Sequence, residues 1–195
     1  MFDIFNNETN TNDINYLLSS VGQNVSINNI VTKAIITNPS LNEFDDRYIS
    51  TIDTIIKRGD LITYSGLNYL IINQIVAKRA NKYKAIMRYC NHTIQVTEVI
   101  LTPTGETNYR GEPLYATTYG EPINIACIVD SRTFSLTSDS AINLPNNQIT
   151  TTVQNNPTTG DLSVNDEFYV MGKSWKILDI DRSKVGLIIF TCQAY

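Results

Sequence analysis

The sequence predicts a mainly β protein, two small barrel- or sandwich-like domains with a short N-terminal helix. Three observations carry that expectation. Asn, Thr and Ile supply about a third of the chain; Thr and Ile have stiff β-branched side chains that suit strands, and Asn suits turns. Short runs of alternating apolar and polar residues are bounded by Gly, Asn and Pro. A stretch beginning near Gly59 returns in degenerate form near Asn165.

In chain order, Ile14, Leu17, Leu18 and Val21 fall on one helical face, with Asn12 or Asp13 to cap the start and Gly22 to end it. This helix either packs on a sheet or docks on a neighbouring subunit. Val25 and Ile27 then alternate with polar residues, Asn28-Asn29 suits a tight primed turn, and 30–37 returns as a strand that Asn38-Pro39 stops. Residues 41–51 are charged and read equally as a linker or a short helical turn. Ile55 and Ile56 lead through Arg58-Gly59-Asp60 into strand 61–64, a turn at Ser65-Gly66, and a long strand over 68–76. A basic connection, 78–82, precedes strands 83–89 and 93–100.

Residues 101–122 lose all periodicity. Gly105, Gly111 and Gly120 alternate with Pro103, Pro113 and Pro122, which predicts an irregular connector or a functional loop. Strand 123–129 follows. The Ser/Thr/Asn-rich stretch 131–157 holds strand candidates 133–136 and 148–154, suited to a sheet with one solvated face. The domains expected are thus 1–100, a connector 101–122, and 123–195.

The repeat aligns Asp60 with Asp166, Gly66 with Gly172, Tyr69 with Trp175 and Ile71 with Ile177, and 85–90 with 187–192. Each copy has the same logic. A residue beside Asp opens a turn, Gly66 or Gly172 supplies the positive φ of a hairpin, and Tyr69 or Trp175 plugs one barrel end.

Composition excludes several classes. A chain of 195 residues builds a core without a disulfide or metal staple, and 42% hydrophobic against 17% charged residues is the reverse of a disordered chain. No apolar run approaches the ~20 residues of a membrane helix. The acidic start, Met1-Phe2-Asp3, is unlike a signal peptide. We therefore expect a soluble, intracellularly made protein with no membrane partner. A net charge of −4 argues against non-specific duplex DNA binding as the main task.

Catalytic chemistry has little to stand on. There is one histidine, His92, and three widely spaced cysteines, Cys90, Cys127 and Cys192, which read as reduced buried thiols. Cys90 and His92 lack an orienting third group. Asp166, Asp179 and Asp181 match no calcium loop, and neither phosphate-binding glycine motif occurs. Arg58-Gly59-Asp60 reads as a turn before a strand. The expectation is a non-enzyme with no cofactor and no metal.

Charge is unevenly placed. Lys78, Arg79, Lys82, Lys84 and Arg88 form a basic cluster, and Glu43, Asp45 and Asp46 an acidic one. A solvated hairpin tip explains the first. That is the default reading; the functional alternative is a patch facing DNA phosphates or an acidic partner, and its separation from the acidic stretch also suits head-to-tail contact between identical subunits.

Several segments together resemble tailed-bacteriophage structural proteins of Gram-positive hosts. They are Lys33-Ala34-Ile35-Ile36, Lys57-Arg58-Gly59-Asp60 with Tyr69-Leu70-Ile71-Ile72, Tyr83-Lys84-Ala85-Ile86-Met87-Arg88-Tyr89-Cys90-Asn91, and Trp175-Lys176-Ile177 with Gly186-Leu187-Ile188. The likeness is to the head-closure (stopper) and head–tail connector proteins of the phage neck, in short pieces over most of the chain. It implies a homo-oligomeric β-barrel ring in the virion, assembled in the host cytoplasm. The neighbours would be a portal or adaptor on one side and the tail on the other, with genomic DNA passing through the channel. The chain is longer than a one-barrel stopper, which makes the second half an added outward-facing domain.

On that reading Lys78, Arg79 and Lys82, or the 101–122 segment, face the channel. Ile14, Leu17, Leu18, Glu43, Asp45 and Asp46 meet neighbouring subunits, and Gly66, Tyr69, Gly172 and Trp175 are structural. Two alternatives stay open: a tail or baseplate protein, and a carbohydrate- or receptor-binding module using Tyr109, Tyr115 and Tyr119.

Overall fold

The computed structural model describes residues 11–38, 45–52, 54–75, 82–97, 99–131 and 147–194. It is mainly β, and its strands close two barrels. The chain opens with α1 (Thr11–Val21), where the helical spacing places it. Gly22 ends the helix by donating its N–H to the Leu18 carbonyl at 3.1 Å. Of its apolar residues Leu17 is 47% and Val21 55% exposed and Leu18 half-buried, although the helix touches the second strand.

The first barrel uses β1 (Gln23–Ile27), β2 (Ile30–Thr37), β3 (Arg47–Ile52), β4 (Leu61–Tyr64), β5 (Leu67–Ile71) and β6 (Lys82–Tyr89), in the closed order β1-β2-β3-β6-β5-β4. Its core is Val25, Ile27, Ala34, Ile49, Ile62, Tyr69, Ile71, Ala85 and Met87, with Ile56 reaching in from a loop. Asn28 and Asn29, at φ 46° and 70°, make the primed turn that the sequence predicts.

The chain continues through β7 (His92–Val96), β8 (Val99–Thr107), β9 (Pro113–Tyr119), β10 (Ile123–Ser131), β11 (Gln148–Gln154), the single turn α2 (Pro157–Gly160), β12 (Glu167–Val170), β13 (Lys173–Asp181) and β14 (Leu187–Ala194). The second barrel closes in the order β7-β10-β11-β14-β13-β12. Counted within its own half, this is the connectivity of the first barrel. Cys127, Ile149, Val153, Phe168, Trp175, Ile177, Ile188 and Phe190 fill its centre.

The repeat holds at the level of single hydrogen bonds. Gly59 N–H donates to Ile71 O, and Ile71 N–H to Asp60 O; Asn165 N–H donates to Ile177 O, and Ile177 N–H to Asp166 O. Asp60 accepts from Lys57 N–H at 2.6 Å, as Asp166 accepts from Ser163 N–H at 2.8 Å. Ser65-Gly66 (φ 52° and 78°) and Met171-Gly172 (φ 52° and 75°) are the same primed turn. In register, however, Ile71 faces Met87 whereas Ile177 faces Cys192. Met87, not Cys90, is therefore the counterpart of Cys192, and the strand alignment shifts by three residues. The bulge between Ile177 and Asp179 is one source of irregularity in that strand pair.

Other expectations change as well. The charged stretch ends in a strand, β3, because Ile49 and Thr51 alternate inward. The strand expected over 68–76 stops at Ile71, and Asn73 turns its side-chain oxygen onto Ile86 N–H at 2.7 Å. The strand expected over 93–100 is two strands belonging to different sheets. Consequently the first domain ends with β6 rather than at residue 100, since β7 pairs with β10 and β12 of the second barrel. Residues 101–122 are not irregular: most of them form the antiparallel pair β8–β9. Pro103 and Pro113 are tolerated because the ladder is two-stranded and leaves half its amides outward. The strand candidate 133–136 lies outside the described residues.

The barrels meet along a seam. Leu61, Leu70 and Ile72 point outward from the first barrel and pack with Ala126, Ile128 and Leu187 of the second, around buried Cys90. Gly59 and Gly186, both at φ 90°, touch backbone to backbone; a Cβ on Gly59 would lie 1.8 Å from the Gly186 carbonyl oxygen. Arg58 Nε donates to Val185 O at 2.8 Å, and Gln154 Nε2 to Asn28 Oδ1 at 2.9 Å. Through the repeat register, Leu61 and Leu70 correspond to Glu167 and Lys176, a cross-strand pair on the second barrel. One copy is apolar where the other copy covers it, and the other carries charge at the same two positions.

Candidate functional site

The element that most departs from the repeat is the β8–β9 hairpin. It is inserted between β7 and β10, the place where the first barrel makes its Asn28-Asn29 turn. Asn108 builds the tip: its side-chain oxygen accepts from Arg110 N–H at 2.8 Å and Glu112 N–H at 3.0 Å, while its own N–H donates to Glu112 O. Such an Asx turn, with Gly111 at φ 81°, reverses the chain without support from the barrel. Every residue of β9 is exposed. Ile100, Leu114, Tyr115 and Tyr119 show 44%, 42%, 55% and 70% of their surface to solvent, and Tyr109 at the tip 90%.

At the hairpin's base lies an open groove of about 890 Å³. Tyr119, Gln95, Asp161, Phe168 and Tyr169 are among its lining residues. Its chemistry is mixed, aromatic walls with carboxylate and amide acceptors.

The residues singled out in the sequence fall in different places. Lys78, Arg79 and Glu43 lie outside the described residues, as does the side chain of Ile14. Lys82 opens β6 half-buried, facing Ile52 across the ladder. Lys84 sits 4.3 Å over the Tyr48 ring. Arg88 grips Asp46 through two bonds, 2.8 and 3.2 Å. Asp46 and Arg88, one from the acidic stretch and one from the basic cluster, therefore meet within one chain. Asp45 is exposed at φ 49°. Leu18 is half-buried and Leu17 largely open.

Gly66 and Gly172 occupy the hairpin turns, and Tyr69 and Trp175 are buried to 2% and 6%. Trp175 Nε1 donates to Val170 O at 3.1 Å. Tyr69 stacks edge-on against Tyr89 with Arg47 at 5.8 Å, and burial pushes its phenol above the usual range against the opposing pull of Arg47.

Arg58, Gly59 and Asp60 are spent on the seam and the turn, with Asp60 also accepting from Asn28 Nδ2 at 2.9 Å. Burial raises the thiols of Cys90, Cys127 and Cys192 to about 12, the direction opposite to an activated nucleophile. Asp181 is held below its usual range by the Ser183 amide and hydroxyl. Among the described residues, no three His, Cys, Asp or Glu side chains converge as metal ligands, and no helix is long and apolar enough to cross a membrane.

The two halves also match separately defined domain families. Residues 3–89 match the YomX N-terminal domain and residues 82–193 the YomX C-terminal domain. The chain belongs to the YomX family. The division between the two matches falls at β6, where the first barrel ends. A relative from Bacillus subtilis (strain 168), the SPbeta prophage-derived uncharacterized protein YomX, is 28% identical over 166 residues, spanning 84% of this chain and 76% of that protein. The YomX family is thus phage-derived. No solved structure matches the chain.

The hairpin was the element that sequence reasoning missed. Its signal was there: Asn108 and Gly111 bracket a turn between two Thr- and Tyr-rich runs. The frequent prolines concealed it.

Proposed function

We propose that this chain is a structural protein of the phage particle, and within it a subunit of the head-closure ring between portal or adaptor and tail. One observation carries the reading: a pair of like barrels, packed along a seam, bears a hairpin whose apolar and aromatic side chains are exposed among the described residues. That is the anatomy of a docking part, and membership of a phage-derived family supports it. The resemblance of its segments to stopper proteins supplies the location. Partners on this reading are identical subunits, the rings above and below, and DNA in transit, with no enzymatic step.

Inactivating the gene in its own phage tests it. Filled or emptied heads and separate tails are the expected products, with the chain seen between portal and tail in a map of the intact particle. Joined, infectious particles lacking the chain overturn the reading, and density in the tail tip or baseplate replaces it with the tail alternative. Replacing Lys78, Arg79 and Lys82 by Glu tests the channel role: genome retention or ejection falls, and unchanged infectivity removes these residues from the channel.

A carbohydrate- or receptor-binding module is the second reading, favoured by Tyr119 and Tyr169 standing exposed on one groove beside Gln95 and Asp161. Binding of host-wall glycans by the isolated protein, lost in Tyr119→Ala, supports that reading.

A further inference from the structure

The β8–β9 hairpin is a two-stranded sheet standing alone. Such a ribbon is at best marginally stable in water unless something packs on it. Among the described residues both of its outer edges are unpaired, the feature that proteins usually hide. Of the two, β9 is the better donor. Its proline, Pro113, is its first residue, so the edge from Leu114 to Tyr119 is uninterrupted, whereas Pro103 breaks the middle of β8.

A matching acceptor lies on the same chain. β2 pairs with β1 from Ile30 to Ala34, but with β3 only from Ile35 to Thr37. Among the described residues no strand pairs with the other edge of Ile30–Ala34, although Thr54 meets Thr32 there, hydroxyl to hydroxyl at 3.4 Å, and α1 touches β2. Ile30 and Val31 are each 73% exposed there, and exposed Lys33 adds a charge opposite to Glu106 and Glu112 of the hairpin. The counterpart strand in the second barrel, β10, is covered along Ala126 and Ile128 by the first barrel. Since Ile27 and Ile30 flank a two-residue turn, the alternation of the ladder directs the Val31 amide away from β1, toward the open edge.

We propose that the hairpin of one chain adds to this edge of β2 in a second copy, β9 against Ile30–Ala34, with Leu114 and Tyr115 covering Ile30 and Val31. This is strand addition between identical chains, main-chain bonds giving strength and alternate side chains giving register. The contact joins two different surfaces, so it propagates head to tail and closes into a ring when the rotation permits. The inference deepens the reading of the chain as a self-assembling structural part and rests on it.

The test uses the full chain and three variants. One replaces residues 100–118 by Asn-Gly, removing the arm. The others, Val31→Pro and Val31→Asp, block the edge by deleting its donor or by charging it. Circular dichroism and melting confirm that each is folded; if Val31→Pro is not, Val31→Asp serves. Light scattering behind a sizing column is then read over a range of concentrations. Wild type is expected to assemble with concentration, and each variant to lose the multimer peak entirely. Mixed together, arm-less and edge-blocked chains hold one working arm and one working edge, so they should form a 1:1 dimer and nothing larger. Arm-less chains that assemble like wild type overturn the proposal, as does a mixture that fails to pair. A wild type that stays monomeric at every concentration also overturns it, without touching the neck reading. Conversely, density in the baseplate would overturn the neck reading and leave strand addition standing.

Discussion

Gly59 and Gly186 show how much a single missing methyl group decides. Both hold a positive φ of 90°, and a Cβ on either would overlap a carbonyl oxygen of the other barrel's turn. Gly105 has a similar φ, 81°, with nothing within 4 Å of its virtual Cβ. Gly105→Ala should therefore cost about 1 kcal/mol, the left-handed backbone penalty alone, and Gly59→Ala at least about 2 kcal/mol more, from overpacking. Denaturant midpoints with matched slopes check the difference, and equal losses would mean that the seam yields.

The three thiols give a second expectation at this scale. Burial raises each to about 12, above its unfolded value, so the folded chain keeps these protons longer than the unfolded one. Their contribution to stability is complete below about pH 8.5 and is lost as pH climbs from there toward 12. Cys127→Ala should flatten the fall in melting temperature between pH 8 and 10 relative to wild type. In the native state, thiol reagents at pH 8 should label none of the three.

Individual elements were legible where local chemistry decides them. The spacing of Leu17, Leu18 and Val21 located the helix, and Asn28-Asn29 and Ser65-Gly66 located hairpins whose backbone is the expected primed turn. The β4–β5 and β12–β13 hairpins were readable as copies because Asp, Gly and an aromatic residue recur at fixed offsets. Membership of a sheet was not legible. Nothing in His92 to Val96 says that β7 pairs forward with β10 rather than back with β6, because that choice is made by residues far along the chain.

For the same hairpin pair we expect Trp175→Phe to cost about 1–3 kcal/mol. It keeps an aromatic ring but loses the indole's second ring from the core and its hydrogen bond to the Val170 carbonyl. The β8–β9 amides should exchange with deuterium well ahead of both barrels in the free chain. Protection there equal to that of β14 would show that the ribbon is already supported.

Across the whole molecule the seam couples the barrels. Leu70 is completely buried between them, so Leu70→Ala should lose about 2–5 kcal/mol and Leu70→Asp more. Calorimetry of wild type should show one transition, and of Leu70→Asp two. Two in wild type would make the seam a loose contact. Charge runs in the sequence do not reveal their partners: Arg88 and Asp46, far apart in the chain, meet each other. The seam itself left a trace that went unread, since Leu61 and Leu70 become Glu167 and Lys176 when the two copies are laid side by side.

That exchange has a larger effect than its size suggests. A duplicated unit whose copies stick through one oily strip is a step away from an endless row, each new member greeting the next. Here the second member carries a carboxylate and an ammonium where the first carries leucines. A third barrel would find no matching oily strip at those two positions, and the row is not extended by the contact that made the pair.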